Sequence, residues 1–355
     1  MLNTATMEFD PNAPARAGSG VFGLPHAEAD AAVVLVPVPW EATTSYGGGT
    51  SGGPRAFARA CAQVDLYDLD VERPYAHGIH MLAEPPEIVA WNDEAKALAT
   101  RVIEAGGAGD DPELGAALAR VNALSVEVNA WVERATRRLL DAGKLVGVVG
   151  GDHSVPYGAL RAIASRGPFG VLHVDAHSDT RRAYEGFVHS HASIFHNVLE
   201  DVPEVTCLVQ VGIRDVCEEE VAYTRAQGAR VAVVYDRAIA ARRLDGEPFT
   251  RTARAIVDRL PDDVWVSFDV DGLDPRYCPH TGTPVPGGLD FHEAVALLRE
   301  LVRAGKRIIG FDLNEVAPNP RDPDDEWDAN VGARLLYKLV GFTLASQGRA
   351  KLFAV

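Results

Sequence analysis

Short valine-rich runs alternate along this chain with longer stretches whose apolar residues recur every three or four positions. The runs at 31–38, 145–149, 169–174, 205–211, 231–234, 264–268 and 307–311 are apolar almost without interruption. That pattern marks strands covered on both faces, as in a parallel sheet. The stretches at 54–64, 122–141, 157–166, 218–227, 250–260, 291–304 and 329–345 carry helical periodicity between them. Such alternation predicts an α/β protein, a three-layer α/β/α sandwich around a mostly parallel, doubly wound sheet. Two segments break the rhythm. The Gly/Ala-rich stretch 104–115 reads as a loop or mobile insertion, and 318–328 as an acidic, proline-bearing loop. No internal repeat is evident.

In open α/β sheets ligands collect beyond the carboxyl ends of the strands, and there this chain concentrates its acids and imidazoles. Asp175, His177 and Asp179 follow the run 169–174 in Asp175-Ala176-His177-Ser178-Asp179. Alternate residues of an extended chain share a face, so these three project together. Asp269 and Asp271 repeat the spacing after 264–268, and His153 follows 145–149 in Gly150-Gly151-Asp152-His153-Ser154. Glu315 lies beyond 307–311, in Gly310-Phe311-Asp312-Leu313-Asn314-Glu315-Val316. Carboxylates and imidazoles crowded into one dry crevice repel and desolvate one another unless cations neutralise them. The donor set is oxygen-rich with some nitrogen and no motif cysteine, which suits Mn(II) ahead of Fe, Co, Ni or Zn. Two such ions, about 3.5–4 Å apart, lower the pKa of a shared water into the useful range.

These segments, in this order, resemble the ureohydrolases, the family of arginase and agmatinase. The resemblance runs from about 32 to 340 and is strongest between 146 and 316, while residues 1–30 and 75–114 match poorly. The organisation expected is an N-terminal extension over 1–30 and one arginase-like catalytic domain over 31–355, with an insertion around 75–114. Carried over position by position, the resemblance implies one metal held by His153, Asp175, Asp179 and Asp269. It implies a second held by Asp175, His177, Asp269 and Asp271, with Asp175 and Asp269 bridging. It further implies two Mn(II) per subunit, release of urea from a guanidino compound, and a homo-oligomer, trimer or hexamer. Glu315 matches the acid that receives the guanidinium, for which a carboxylate is the natural planar partner. Asp179 is expected to take the proton as attack occurs. His191 corresponds best to the histidine that shuttles protons at the cleft mouth, with His189 the alternative and His196 close by. His173, inside the strand, is expected to pack in the core or support the ligands from behind, and His280 and His292 to be ordinary loop and helix-start residues.

Departures from the arginase pattern bear on the substrate. Thr180-Arg181-Arg182-Ala183-Tyr184-Glu185 replaces the loop that holds the amino-acid end of arginine, and Cys217 stands where arginase has an acid. Arginine is therefore disfavoured. An agmatinase-like hydrolase, converting agmatine to putrescine and urea, is the leading expectation, supported by similarity to that branch in Gln210-Val211-Gly212-Ile213-Arg214 and His191-Ala192-Ser193-Ile194-Phe195. Arg181 and Arg182 either point to solvent or, near the pocket, would repel an amine tail and welcome a carboxylate, as in guanidinobutyrate, guanidinopropionate or formimidoylglutamate. Tyr184 would shrink the pocket toward free guanidine. Arg181 and Tyr184 are thus the candidate tail-binding residues. Outside the family, a zinc deacetylase of similar architecture would use one metal and lack the full ligand set, and an inactive metal-binding homologue would not need it intact.

Composition narrows the setting. No apolar run in the 355 residues nears the eighteen or so of a membrane helix, and the N-terminus lacks a basic segment leading into an apolar one. The expectation is no membrane and a cytoplasmic enzyme. Four separated cysteines without CxxC spacing exclude zinc fingers and a disulfide framework. A net charge of −16 without a dense Lys/Arg tract argues against nucleic acid and agrees in sign with a cationic substrate. The glycine-rich segment 45–55 lacks the lysine of a P-loop and resembles instead the ureohydrolase loop beside the active site, with Trp40 and Glu41 expected either at its entrance or as an exposed loop pair with no special role. The Gly/Pro-rich segment 278–288 is expected to form a tight loop beside Asp271.

Overall fold

The structure, a computed structural model, describes residues 9–16, 18–322 and 324–354, so the first eight residues of the expected extension lie outside the described residues. Eight strands are found among those described: β1 (Val33–Val38), β2 (Ile79–Met81), β3 (Leu145–Gly150), β4 (Phe169–Val174), β5 (Val205–Ile213), β6 (Val231–Tyr235), β7 (Asp263–Asp269) and β8 (Arg307–Asn314). They form one sheet in the order β2-β1-β3-β8-β7-β4-β5-β6. Every pairing in it is parallel, so the sheet is wholly rather than mostly parallel.

Strand side chains alternate between two cores, one on each face. In β4, Phe169 and Val171 enter one core while Leu172 and Val174 enter the other. In β7, Trp265 faces opposite to Val264, Val266 and Phe268. One face is covered by α2 (Pro86–Glu104), α3 (Pro112–Asp141), α4 (Tyr157–Ala164) and α5 (Ile194–Asp201). The other is covered by α1 (Gly53–Ala60), α7 (Asp236–Leu244), α8 (Phe249–Val257), α9 (Phe291–Arg303) and α10 (Trp327–Ser346). The helix α6 (Glu218–Ala226) connects β5 to β6. Val21, Phe22 and Leu24 from the expected extension are buried in the second core, with the Phe22 ring 4.9 Å from that of Tyr337. Among the described residues no helix is long and apolar enough to cross a membrane.

The region around 75–114 carries elements that the hydrophobic pattern does not predict. It contributes β2, which pairs with β1 and extends the sheet, and the 19-residue helix α2. Three strand residues are too few to show a period. The inward face of α2, Ile88, Asn92, Ala95, Ala99 and Val102, is helically spaced but made largely of small or polar residues, which mutes the signal. Helix α3 begins ten residues earlier than the periodicity suggests, with Asp111 accepting from the Glu113 N–H (2.8 Å) and proline in the first turn. The Gly/Ala-rich loop thus shrinks to 105–111. The short helices α5 and α7 also escaped the pattern.

Register sets the level of the chemistry. Val149 pairs with Leu313, Leu313 with Phe268, and Phe268 with Val174. The four central strands β3, β8, β7 and β4 therefore end on one ledge, and the next residues along β7 and β4 are Asp269 and Asp175. Trp265, fully buried, fits beneath because Gly310 on β8 has no Cβ to meet its ring. Gly310→Ala is expected to cost about 1–3 kcal/mol of stability by overpacking, read as a lower denaturation midpoint; an unshifted midpoint would mean the ring has slack.

Candidate metal centre and cleft

The ledge gathers six side chains. His153 Nδ1 lies 2.9 Å from Asp175 Oδ2, 3.3 Å from Asp269 Oδ2 and 3.5 Å from Asp179 Oδ2. His177 Nδ1 lies 3.0 Å from Asp271 Oδ2 and 3.5 Å from Asp175 Oδ1. Asp175 belongs to both groups. In two sets, His153, His173, Asp175, Asp179 and Asp175, His177, Asp271, the potential donor atoms fall within 4.8 Å of one another.

The proton distribution shows what such a cluster needs. Burial opposes charge on His153, but Asp175, Asp269 and Asp312 outweigh it and hold the imidazole protonated well above the ordinary histidine range. Burial likewise works against His177, yet Asp271 and Asp175 push it up to about 12. Asp179 and Asp269 are raised far above the usual carboxylate range, by burial and then by neighbouring carboxylates. Protons supply the positive charge this donor set calls for, and divalent cations would do so better. The residues fit a metal pair.

A buried network aims the donors. The Ser267 hydroxyl donates to Asp312 Oδ1 (2.8 Å), so it accepts from His153 Nε2–H (2.9 Å), and Nδ1 is left facing the carboxylates. Trp265 and Asn314 also donate to Asp312. On the other side Gln210 donates to His173 Nδ1 (3.1 Å) and to the Ser178 carbonyl (2.6 Å), and His173 Nε2–H donates to Asp175 Oδ2 (2.8 Å). Burial lowers the pKa of His173, which is consistent with a neutral ring supporting Asp175 from behind. Asp312, Ser267 and Gln210 lack a spacing signature. The available sign was polarity inside otherwise apolar strands, where a buried polar group must find a partner.

Two carboxylates of the centre sit on left-handed backbone: Asp179 at φ 55° and Glu315 at φ 66°. Such conformations cost non-glycine residues about 1–3 kcal/mol and are retained where surroundings impose them. Here the Asp179 carbonyl accepts from the Phe195 N–H (2.9 Å), and the Glu315 N–H donates to the Gly151 carbonyl (2.9 Å). Glu315 Oε1 accepts from the His153 N–H (2.9 Å), while Oε2 is buried without a hydrogen-bond partner. Burial, then Asp269 and Asp152, raise its pKa well above normal.

A cleft of about 170 Å³ opens over the ledge, lined on its floor and sides by His177, Asp179, His191, Arg181, Tyr184 and Glu220, with Ser45, Asp215 and Thr283 also contributing. Of the three neighbouring histidines, His191 lines it. His189 packs on Tyr157 with rings 5.2 Å apart, and His196 stacks on Tyr223 at 4.7 Å. Burial, then His177 and Lys96, push His191 down to about 3, so its ring is neutral. Arg181 lies over the Tyr184 ring at 5.1 Å, with Nε 3.8 Å from Glu220 Oε2. Arg182 is exposed and outside the lining. Cys217 caps α6, its N–H bonded to Glu220 Oε2 (3.1 Å). His280 is tied to Asp328 through Nδ1 (2.8 Å). Trp40 and Glu41 do not flank an open entrance as expected. Both are buried, Trp40 in the core and Glu41 inside the glycine-rich loop, where its carboxylate answers backbone N–H groups.

Comparison with known proteins agrees with this geometry. The model of the Arginase family matches residues 31–341. An N(1)-aminopropylagmatine ureohydrolase of Synechocystis sp. is 34% identical over 328 residues, 91% of this chain and 92% of its own length. One of the same description from Thermus thermophilus is 32% identical over 318 residues, 88% of this chain and 90% of its own. The structure of proclavaminate amidinohydrolase from Streptomyces clavuligerus matches with a TM-score of 0.71 at 24% identity, covering 94% of this chain and 99% of that one. A parallel sheet with its acids and imidazoles at four strand ends, matched over nearly its whole length, makes this chain a ureohydrolase belonging to the arginase family.

Proposed function

We propose that this ureohydrolase acts on a guanidine carrying a cationic amine tail, N(1)-aminopropylagmatine or agmatine, in preference to a guanidino acid. The observation that carries the reading is the charge of the cleft. Asp215 is exposed at the lining. Arg181, the cation expected to repel such a tail, is instead engaged by Glu220 and Tyr184. The two relatives described as N(1)-aminopropylagmatine ureohydrolases point the same way, whereas others described as a guanidinobutyrase and a guanidinopropionase point to the acids.

His153, Asp175, Asp179 and Asp269 would hold one cation, and Asp175, His177, Asp269 and Asp271 the second, with manganese favoured by the donor chemistry. Bound there, two divalent cations supply a water activated for attack at neutral pH. The chain's own residues do the rest. Glu315 holds the guanidinium through its free Oε2 and orients the central carbon toward the ledge. Asp179, freed of its own proton when cations are bound, takes a proton during attack. His191, neutral at rest, relays one to the departing amine. We further read residues 31–355 as one catalytic domain carrying 1–30 as an extension, in a cytoplasmic homo-oligomer.

The test is urea release from N(1)-aminopropylagmatine, agmatine, arginine, guanidinobutyrate, guanidinopropionate, formimidoylglutamate and free guanidine, with Mn(II) and with Ni(II). We expect the amine-tailed substrates to lead in kcat/KM by about tenfold or more, since about 1.4 kcal/mol of tail recognition suffices. A guanidino acid in first place would mean that Arg181 leaves Glu220 to meet a carboxylate, and would replace the reading.

A further inference from the structure

One wall of the cleft comes from the loop between β1 and α1, where Ser45 lines it beside Thr283. Rich in glycine, this loop has little intrinsic preference for any one shape. Its anchor comes from α2. Asn92 and Lys96 are one turn apart and share a face of that helix. Asn92 Oδ1 accepts from the Glu41 N–H (2.7 Å). Lys96 Nζ donates to the Glu41 carbonyl (3.1 Å) and to the Thr44 hydroxyl, and lies 3.8 Å from Glu41 Oε1. The other carboxylate oxygen of Glu41 accepts from the Gly49 N–H (2.6 Å), the Ser51 N–H (3.1 Å) and the Thr50 hydroxyl (3.1 Å).

The loop is therefore closed on itself around a buried carboxylate. Burying that charge is costly unless it is paired and hydrogen-bonded, and every one of its partners here lies on the loop or on α2. Between the two tied ends, residues 45–48 form an arch, stapled to the neighbouring loop by the Gly47 N–H and the Gly282 carbonyl (3.1 Å). Gly49 and Gly53 pack against residues 316–318, directly after Glu315. The arch carries Tyr46, 87% exposed, next to the cleft-lining Ser45. An aromatic ring on a clamped arch beside a cleft is suited to alkyl chains and ammonium groups.

We infer that Lys96 is a positioning residue for substrate discrimination: through Glu41 it fixes the arch at 45–48, whose cleft-lining Ser45, with the exposed Tyr46 beside it, meets the substrate's tail. The inference rests on the assignment of a tailed guanidine as substrate, and takes the amine-tailed class only as its first comparator.

The readout is the ratio of kcat/KM for N(1)-aminopropylagmatine to that for methylguanidine, measured on the full chain loaded with Mn(II), alongside bound metal per chain. Lys96→Met is expected to lower this ratio about tenfold, mainly through a higher KM for the tailed substrate, with metal content unchanged; Lys96→Arg should recover most of it. Tyr46→Ala should lower the same ratio and Tyr46→Phe preserve it, which keeps the test alive should Lys96→Met fail to fold. A purely structural role would weaken both substrates alike. Equal losses on the two substrates in Lys96→Met, or an unmoved ratio in Tyr46→Ala, would overturn the inference. If the wild-type enzyme prefers a guanidino acid, the amine-tail reading falls, and the ratio taken with that acid decides on Lys96 in the same way.

Discussion

Asp175→Asn is expected to lower kcat for urea release by about 10³-fold or more, equivalent to about 4 kcal/mol of activation free energy, and to reduce bound metal below two per chain. No other side chain in the centre is shared so widely. Its Oδ2 meets His153 and His173, its Oδ1 takes the His177 N–H at 2.6 Å, and it belongs to both potential donor sets. An amide there keeps the shape, loses the charge, and turns an N–H toward imidazoles that need an acceptor. Metal analysis and a urea assay on the same preparation check this; two tightly held ions with near-normal turnover would refute the paired centre. A pH effect accompanies it. With His177 protonated up to about 12 in the metal-free protein, metal uptake displaces that proton, so affinity weakens as pH falls. Metal affinities at pH 6 and pH 8.5 should differ in that sense, and equal values would show that no proton is exchanged.

Glu315→Gln is the second large effect. The buried carboxylate spends one oxygen on the His153 N–H and leaves the other unpartnered, a state that costs stability in the free protein. A guanidinium resolves it. Losing a buried charge-assisted pair is worth about 2–5 kcal/mol, so kcat/KM should fall by about 10²–10³-fold while bound metal stays constant. Because Asp269 and Asp152 already disfavour the charge on Glu315, the metal-free variant should unfold at the same or higher temperature than wild type. A variant less stable and fully active would make Glu315 a structural acid.

The spacing of acids and imidazoles after valine-rich strands made the six ledge residues legible, because strand geometry converts alternate positions into a shared face. The level at which they meet depended on register, Val149 through Leu313 and Phe268 to Val174, which no single strand encodes. Helix α2 stayed hidden because two alanines and an asparagine take three of the five positions in its buried stripe. The alanines suit close packing, and Asn92 holds the Glu41 N–H. Glu41, just before the glycine-rich segment, is buried rather than at an entrance because backbone N–H groups up to ten residues away and Lys96 partner its carboxylate, contacts that no local pattern encodes. Likewise the network from Trp265 through Asp312 and Ser267 to His153 joins β7, β8 and the turn after β3, and only the folded sheet brings its members together.

The left-handed backbone at Asp179 and Glu315 bears on how this enzyme should be improved. A library selected for heat resistance alone would be drawn to glycine or asparagine at both positions, since either relaxes the main chain and removes a buried acid. On the roles proposed for these two acids the survivors would be hardier proteins with no turnover, so any such campaign has to score catalysis in every round.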